Sequence, residues 1–232
     1  MNLIRILSKT IFLQNWLSFI VSKFNPFVLH NFDKYVAIKK AFFYSSLEKI
    51  EGDYFEFGVF TGSSFCHAIQ CARANKKYDN NLDNIKFYGF DSFEGFGDLS
   101  DDEKHVFFTK ENFNSDYKKV IKRVRKILPE KRFKIKKGFF KDTLVNESNN
   151  KIARIIFIDC DTYSSTALAL NYVKPSLQLG TIIILDDYFA YRGSKNKGTY
   201  GAFKKFVTIN KLKTRQLFSY GIGGVVKIFT AV

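Results

Sequence analysis

The chain has 232 residues, 46% of them hydrophobic and 25% charged, with a formal net charge of +15. That size and balance describe a globular protein with room for one sizeable α/β domain and exclude a disordered or collagen-like chain. The positive charge favours anionic partners in general, but zinc-finger spacing, an RNP-type aromatic strand and a recognisable helix-turn-helix are all missing, so nucleic-acid binding is not expected. The 3 cysteines, Cys66, Cys71 and Cys160, offer no disulfide framework and no metal-ligand spacing, which suits a reduced, cytoplasmic protein. His30, His67 and His105 are scattered, and no Ser-His-Asp or Cys-His arrangement has support.

In chain order, residues 1–21 are apolar with a basic start, but Lys9, Gln14 and Asn15 interrupt them and no small-residue cleavage site follows. Ile4, Ile6, Leu7, Ile11, Phe12, Trp16 and Phe19 recur at helical spacing, which predicts an amphipathic helix. Such a helix either packs on its own domain or a partner subunit, the preferred reading, or makes a peripheral contact with a membrane surface. A second helix is expected over 31–49, completing an N-terminal helical extension (1–50) ahead of the main domain (51–232). Strand one begins at Tyr54–Phe57, and Ser63 is read as the cap of a helix running to about Asn75. Residues 85–90 make the second strand, and 91–114, rich in Gly, Asp and Phe without a period, a long functional loop. A basic helix over 115–128 is broken by Pro129. Then follow a strand at 133–137, a short helix at 141–147, a strand at 153–159, a helix at 164–177 and a strand after Gly180. A polar segment at 189–199 reads as a lid, and a helix at 200–210 precedes closing strands at 215–219 and 225–230. Strands alternating with helices predict a doubly wound α/β sheet.

Two of these strands carry the chemistry. Ile155-Ile156-Phe157-Ile158-Asp159-Cys160-Asp161 and Thr181-Ile182-Ile183-Ile184-Leu185-Asp186-Asp187 are apolar runs rich in β-branched residues that end in aspartates. Apolar runs without alternation suit parallel strands buried on both faces, and ligands of such sheets bind outside the carboxyl ends of the strands. Neighbouring strands lie about 4.8 Å apart. If the two pair, their carboxylates crowd together and stay ionised only beside a cation, with Mg²⁺ the first choice for an all-oxygen set. The plainer alternative makes each aspartate a helix N-cap.

The cofactor signal lies at the first two strands. Glu56-Phe57-Gly58-Val59-Phe60-Thr61-Gly62-Ser63-Ser64 joins a strand to a helix whose free N–H groups favour a polar or anionic group. Asp91 closes the second strand, where an acid accepts hydrogen bonds from ribose hydroxyls. NAD and S-adenosylmethionine both fit this pair of signals. Glu56 ahead of the first glycine, together with the carboxylate group, favours methyl transfer to an oxygen.

With these residues in hand, the chain resembles the macrocin O-methyltransferase family (the TylF/MycF type), which methylates sugar hydroxyls. The matching stretches are Ile50-Glu51-Gly52-Asp53-Tyr54-Phe55-Glu56-Phe57-Gly58-Val59-Phe60-Thr61-Gly62, Gly89-Phe90-Asp91-Ser92-Phe93-Glu94-Gly95-Phe96, Lys137-Gly138-Phe139-Phe140-Lys141-Asp142-Thr143-Leu144, Ile158-Asp159-Cys160-Asp161-Thr162-Tyr163-Ser164-Ser165-Thr166 and Leu185-Asp186-Asp187-Tyr188. They occur in order and cover roughly 33–188. The resemblance implies a seven-stranded, mostly parallel class I methyltransferase sheet. It places S-adenosylmethionine near Glu56, Gly58, Gly62, Asp91, Ser92 and Phe139, with the adjoining Ser63 and Gly138 counted in the same site. It also implies a divalent cation, Mg²⁺ foremost, at Asp159, Asp186 and Asp187, and a homo-oligomer. Asp161 is the candidate general base, with Asp159 as its rival. The loop at 97–112 and the segment 189–199 depart from the macrolide enzymes, so the acceptor is less well specified than the chemistry. It is a sugar in a surface glycan, nucleotide sugar or glycosylated metabolite, or else a catechol-like hydroxyl. The remaining alternative is a non-catalytic glycan-assembly partner anchored through the N-terminal helix.

Overall fold

A computed structural model describes residues 10–106, 108, 113–145 and 149–232. Ile4, Ile6 and Leu7 of the expected first helix, Asn146 and Glu147 of the expected short helix and part of the 97–112 loop lie outside the described residues. The chain runs α1 (Ile11–Lys23), α2 (Pro26–Leu47), β1 (Asp53–Phe57), α3 (Ser63–Asn75), β2 (Phe87–Asp91), α4 (Tyr117–Arg125), β3 (Phe133–Lys137) and α5 (Phe140–Thr143). It continues through β4 (Ala153–Ile158), α6 (Tyr163–Val173), β5 (Ile182–Leu185), α7 (Ala190–Gly193), α8 (Gly198–Ile209), β6 (Lys213–Tyr220) and β7 (Gly224–Ala231). The strands form one 7-stranded sheet in the order β3-β2-β1-β4-β5-β7-β6. β1 to β5 are mutually parallel, and β7 lies antiparallel between β5 and β6.

Alternation along the strands divides the interior into two cores. Tyr54, Ile155, Phe157, Ile182 and Ile184 pack with Ala37, Ile38, Ala41 and Phe42 of α2 and with Phe65, Ala68 and Ile69 of α3. Their neighbours Phe55, Phe57, Ile156, Ile158, Ile183 and Leu185 pack on the other face with Ala169 and Leu170 of α6 and Ala202, Phe203 and Phe206 of α8. With helices on both faces, every residue of β4 and β5 is buried, which is why these runs show no polar alternation.

Register then places the site. Phe57 stands beside Phe90 and Ile158, and Ile158 beside Leu185. The ladder continues one step further: Gly58 N–H donates to the Phe90 carbonyl, Asp159 N–H to that of Phe57, Asp186 N–H to that of Ile158 and Gly138 N–H to that of Asp91. The residues that follow the parallel strands therefore emerge side by side at one edge.

Two expectations change. Helix α2 starts earlier than position 31, because Asn25 caps it by accepting from the Phe27 N–H and Pro26 occupies the first turn. Ser63 is a helical residue rather than a cap, since the N-cap of α3 is Gly62 in the left-handed region (φ 77°) with no side-chain bond. In addition, α1 buries none of its residues. Packing on its own domain, one of the expected fates of this helix, is therefore not what the chain does.

Candidate active site

At the carboxyl edge a single cleft of about 870 Å³ is lined by Gly58, Ser63, Asp91, Ser92 and Phe139 on one side and by Asp159, Asp161, Asp186 and Asp187 on the other. Gly58 sets the distance between the two sides. It has φ 93°, and a Cβ built there would lie 1.8 Å from the Asp159 carbonyl oxygen, so only glycine allows the first turn to touch the end of β4. Asp91 anchors the same turn: its carboxylate accepts from Phe60 N–H at 2.8 Å and from Phe93 N–H at 2.6 Å.

Three of the expected cofactor residues stand back from the cleft lining, namely Glu56, Gly62 and Gly138. Glu56 is fully buried, and its oxygens accept from the Tyr54 hydroxyl at 2.5 Å and the Ser64 hydroxyl at 2.7 Å. Burial pushes its pKa up to about 8, against the lowering effect of those two hydrogen bonds. Gly62 begins α3, with a Cβ position 3.0 Å from Val120. Gly138 (φ 136°) turns the chain after β3.

The aspartates fall into two groups. Asp186 is closed off: Lys34 Nζ lies 2.6 Å and His30 Nε2 3.2 Å from its Oδ2, while the Tyr220 hydroxyl donates to Oδ1 at 2.8 Å. Ile222 N–H donates to His30 Nδ1, which leaves Nε2 as the donor to Asp186. Burial alone would raise Asp186, but Lys34 and His30 outweigh it and hold the carboxyl below the usual range. Asp159, Asp161 and Asp187, in contrast, bring one oxygen each within 4.8 Å of one another, the only such grouping among the described residues. Burial pushes Asp159 up to about 7 despite Lys34 Nζ at 2.8 Å. Burial and the adjacent Asp187 push Asp161 well above the carboxylate range.

This closest grouping shares Asp159 and Asp187 with the expected ligand set, and Asp186 lines the same cleft. An all-carboxylate triple with mutual spacing below 5 Å fits a hard divalent cation, but that triple contains Asp161 in place of Asp186. The N-cap alternative also fails for Asp161, because Thr162 caps α6 by accepting from Ser165 N–H. Asp161 and Asp187 instead occupy the left-handed region, with φ 60° and 46°. That conformation costs side-chain-bearing residues roughly 1–3 kcal/mol and clusters at functional sites, though aspartate tolerates it better than most.

Sequence reasoning missed Lys34, His30 and Tyr220. None belongs to a motif, and Lys34 lies 125 residues before Asp159. The expected lid at 189–199 contains α7, whose Tyr191 donates to the Glu103 carbonyl, and beyond it Lys197 pairs with Asp102. Both contacts tie it to the 91–114 loop.

The model of the macrocin O-methyltransferase family (TylF) matches residues 34–215. The chain belongs to this family. It is accordingly an S-adenosylmethionine-dependent O-methyltransferase. Among solved structures, the O-methyltransferase NovP is similar with a TM-score of 0.68 and 20% identity, over 85% of this chain and 80% of that one. CalS11, a calicheamicin methyltransferase, gives a TM-score of 0.67 and 19% identity over 97% and 88%. An O-methyltransferase from Bacillus cereus, solved with SAH, gives 0.53 and 14% over 84% and 80%. At such identities these likenesses establish the fold. Comparison with curated proteins returns no match. Among the described residues, no helix of this family member is long and apolar enough to cross a membrane.

Proposed function

We propose that the chain transfers the methyl group of S-adenosylmethionine to a sugar hydroxyl, with Asp161 as the general base. The supporting observation is the shared cleft: residues of the cofactor turns and the aspartates line one continuous volume of about 870 Å³. CalS11 is also described as a TDP-rhamnose 3'-O-methyltransferase, which favours a sugar acceptor here over a catechol-like one.

In this reading Gly58, Ser63, Asp91, Ser92 and Phe139 border the cofactor, and Asp91 accepts from the ribose hydroxyls while bracing the Phe60 and Phe93 amides. Glu56, Gly62 and Gly138 act from behind, shaping the turns. A divalent cation held among the cleft carboxylates, with Asp159 and Asp187 common to the expected ligand set and to the closest grouping, would supply Lewis acidity that makes a sugar hydroxyl easier to deprotonate. Asp161 is the base because it lines the cleft beside Asp159 and Asp187, where a carboxylate next to the ion can take the departing proton. Asp159 is less suited, since the Lys34 ammonium lies against one of its oxygens. Holding the acceptor oxygen in line with the methyl and sulfur contributes about 7–11 kcal/mol in favourable systems.

The test is isotopic methyl transfer screened over nucleotide sugars, glycans and catechols, with and without EDTA. Label in sugars that is lost on chelation is the expected result. Label only in catechols would overturn the acceptor, and full activity in EDTA would overturn the cation.

The same reading makes the protein a homo-oligomer joined through α1. Phe12 is 76% and Trp16 56% exposed, and Ile11, Leu17, Phe19, Phe24, Val28 and Phe32 are exposed beside them. Gln14, Asn15, Ser18 and Ser22 gather on one face of α1 and its large apolar residues on the other, but Lys23 is the sole charge of the helix, whereas a membrane-surface helix carries a strongly charged polar face. Light scattering should show an oligomer that falls to monomers in a Phe12→Ser/Trp16→Ser variant. A monomeric wild type that co-sediments with anionic vesicles would favour the membrane contact instead.

A further inference from the structure

We propose that the chain carries a second binding site, a basic hollow at the opposite end of the sheet from the cleft, which takes a phosphate-bearing small molecule. This goes beyond the proposed reaction and does not depend on it. The hollow has a volume of about 270 Å³ and is lined by Lys86, Lys131, Arg132, Lys134, Lys136 and Lys151. Among the described residues, no carboxylate lines it.

Its walls come from separate segments. Lys86 precedes β2, Arg132 precedes β3 and Lys151 lies two residues ahead of β4, so the hollow opens at the amino ends of these strands. Tyr88 of β2 stands in register with Lys134 of β3, and Phe90 with Lys136, so these side chains share one face of the sheet. Tyr172 of α6 adds a third side, its ring 5.1 Å from that of Phe90. The space stays open because β3 is an edge strand and the helix after it, α5, has only 4 residues.

Lysines on an edge strand often serve only to prevent pairing with another chain. That accounts for Lys134 and Lys136, but not for the convergence of Lys86, Lys131, Arg132 and Lys151 from other segments. Arg132 is fixed there by donating to the Leu82 and Ile85 carbonyls, and Lys151 by lying over the Tyr88 ring at 4.9 Å. Neither contact cancels a charge. Asp53 stands beside Lys86, Arg132 and Lys151, and Asp83 beside Arg132, but neither acid lines the hollow.

A hollow lined by one sign of charge concentrates counter-ions. Several cations around a small volume suit a phosphate, with about two charges and three acceptor oxygens, better than a carboxylate. The volume lies just below the range of about 300–1,000 Å³ for drug-sized ligands. That leaves room for one ring beside the phosphate, against Tyr88 and Tyr172.

Calorimetry on the full chain in EDTA, with inorganic phosphate and with glucose 1-phosphate, tests this without turnover and without a cation in the cleft. Both should bind at low salt, and glucose should not. Tighter binding of glucose 1-phosphate identifies an ester as the occupant, and tighter binding of inorganic phosphate identifies the free ion. Lys86→Gln/Lys131→Gln should weaken binding about tenfold or more. Lys122→Gln/Lys126→Gln, which removes the same charge from the exposed surface of α4 and its C-cap, should change it by less than about threefold. Equal losses in the two double variants, equal binding of glucose, or no binding of either phosphate at millimolar concentration would overturn the proposal.

Discussion

At the start of β4, Arg154 meets Asp79 at 2.7 Å, with side chains 1% and 3% exposed. Just past the other end of the same strand, Asp159 meets Lys34 at 2.8 Å, yet Asp161, Asp186 and Asp187 crowd the same volume. The first end matches one charge with one charge and seals both. The second gathers an excess of carboxylates over the lysine and histidine that answer them. Matched burial is scaffold, because removing either partner strands the other. Surplus burial marks a place where something charged comes and goes.

The most direct way to break this contrast is Asp161→Asn. Turnover should fall roughly 100- to 10,000-fold, the range for losing a general base, while cofactor affinity by calorimetry stays within a few-fold. At the other end of β4, Arg154→Met should cost roughly 3–5 kcal/mol in urea unfolding and leave the rate per folded molecule nearly unchanged. A loss of rate without a loss of stability would reverse the assignment of the two ends.

Glu56 sharpens the comparison through pH. Its pKa is raised from 4.5 to about 8 in the folded chain, so the native state binds more protons than the unfolded state between those values. Stability should therefore fall as pH rises across that window. Urea midpoints at pH 5 and pH 8 check the sign, and Glu56→Gln should flatten the difference. The smallest expected effect is Asp91→Asn, with roughly tenfold weaker cofactor binding from weakened charge-assisted hydrogen bonds.

Much of this was legible in the chain itself. β4 and β5 could be read because strands covered on both faces must be apolar at every position, and the aspartates after them announced the edge of the sheet. β3 has the expected bounds at Phe133–Lys137, set off by Pro129 before and Gly138 after. The pairing of Asp186 with Lys34 beside the crowded Asp159, Asp161 and Asp187 could not be read, because that lysine lies on α2 and no local pattern distinguishes it from other basic residues. The fate of α1 escaped for a different reason. Helical spacing of apolar residues states that a face wants cover but not whose surface supplies it.

The missing side chain at Gly58 has a further consequence. Because its α-carbon rests against the Asp159 carbonyl, the loop proposed to receive the methyl donor and the strand that presents the acids share one point of mechanical contact. A perturbation of either is felt by the other without passing through solvent or a mobile loop. In the proposed reading, change toward new acceptors falls to other parts of the cleft lining, such as Phe96, Phe113 and Phe189, while the contact at Gly58 keeps the two sides at their spacing.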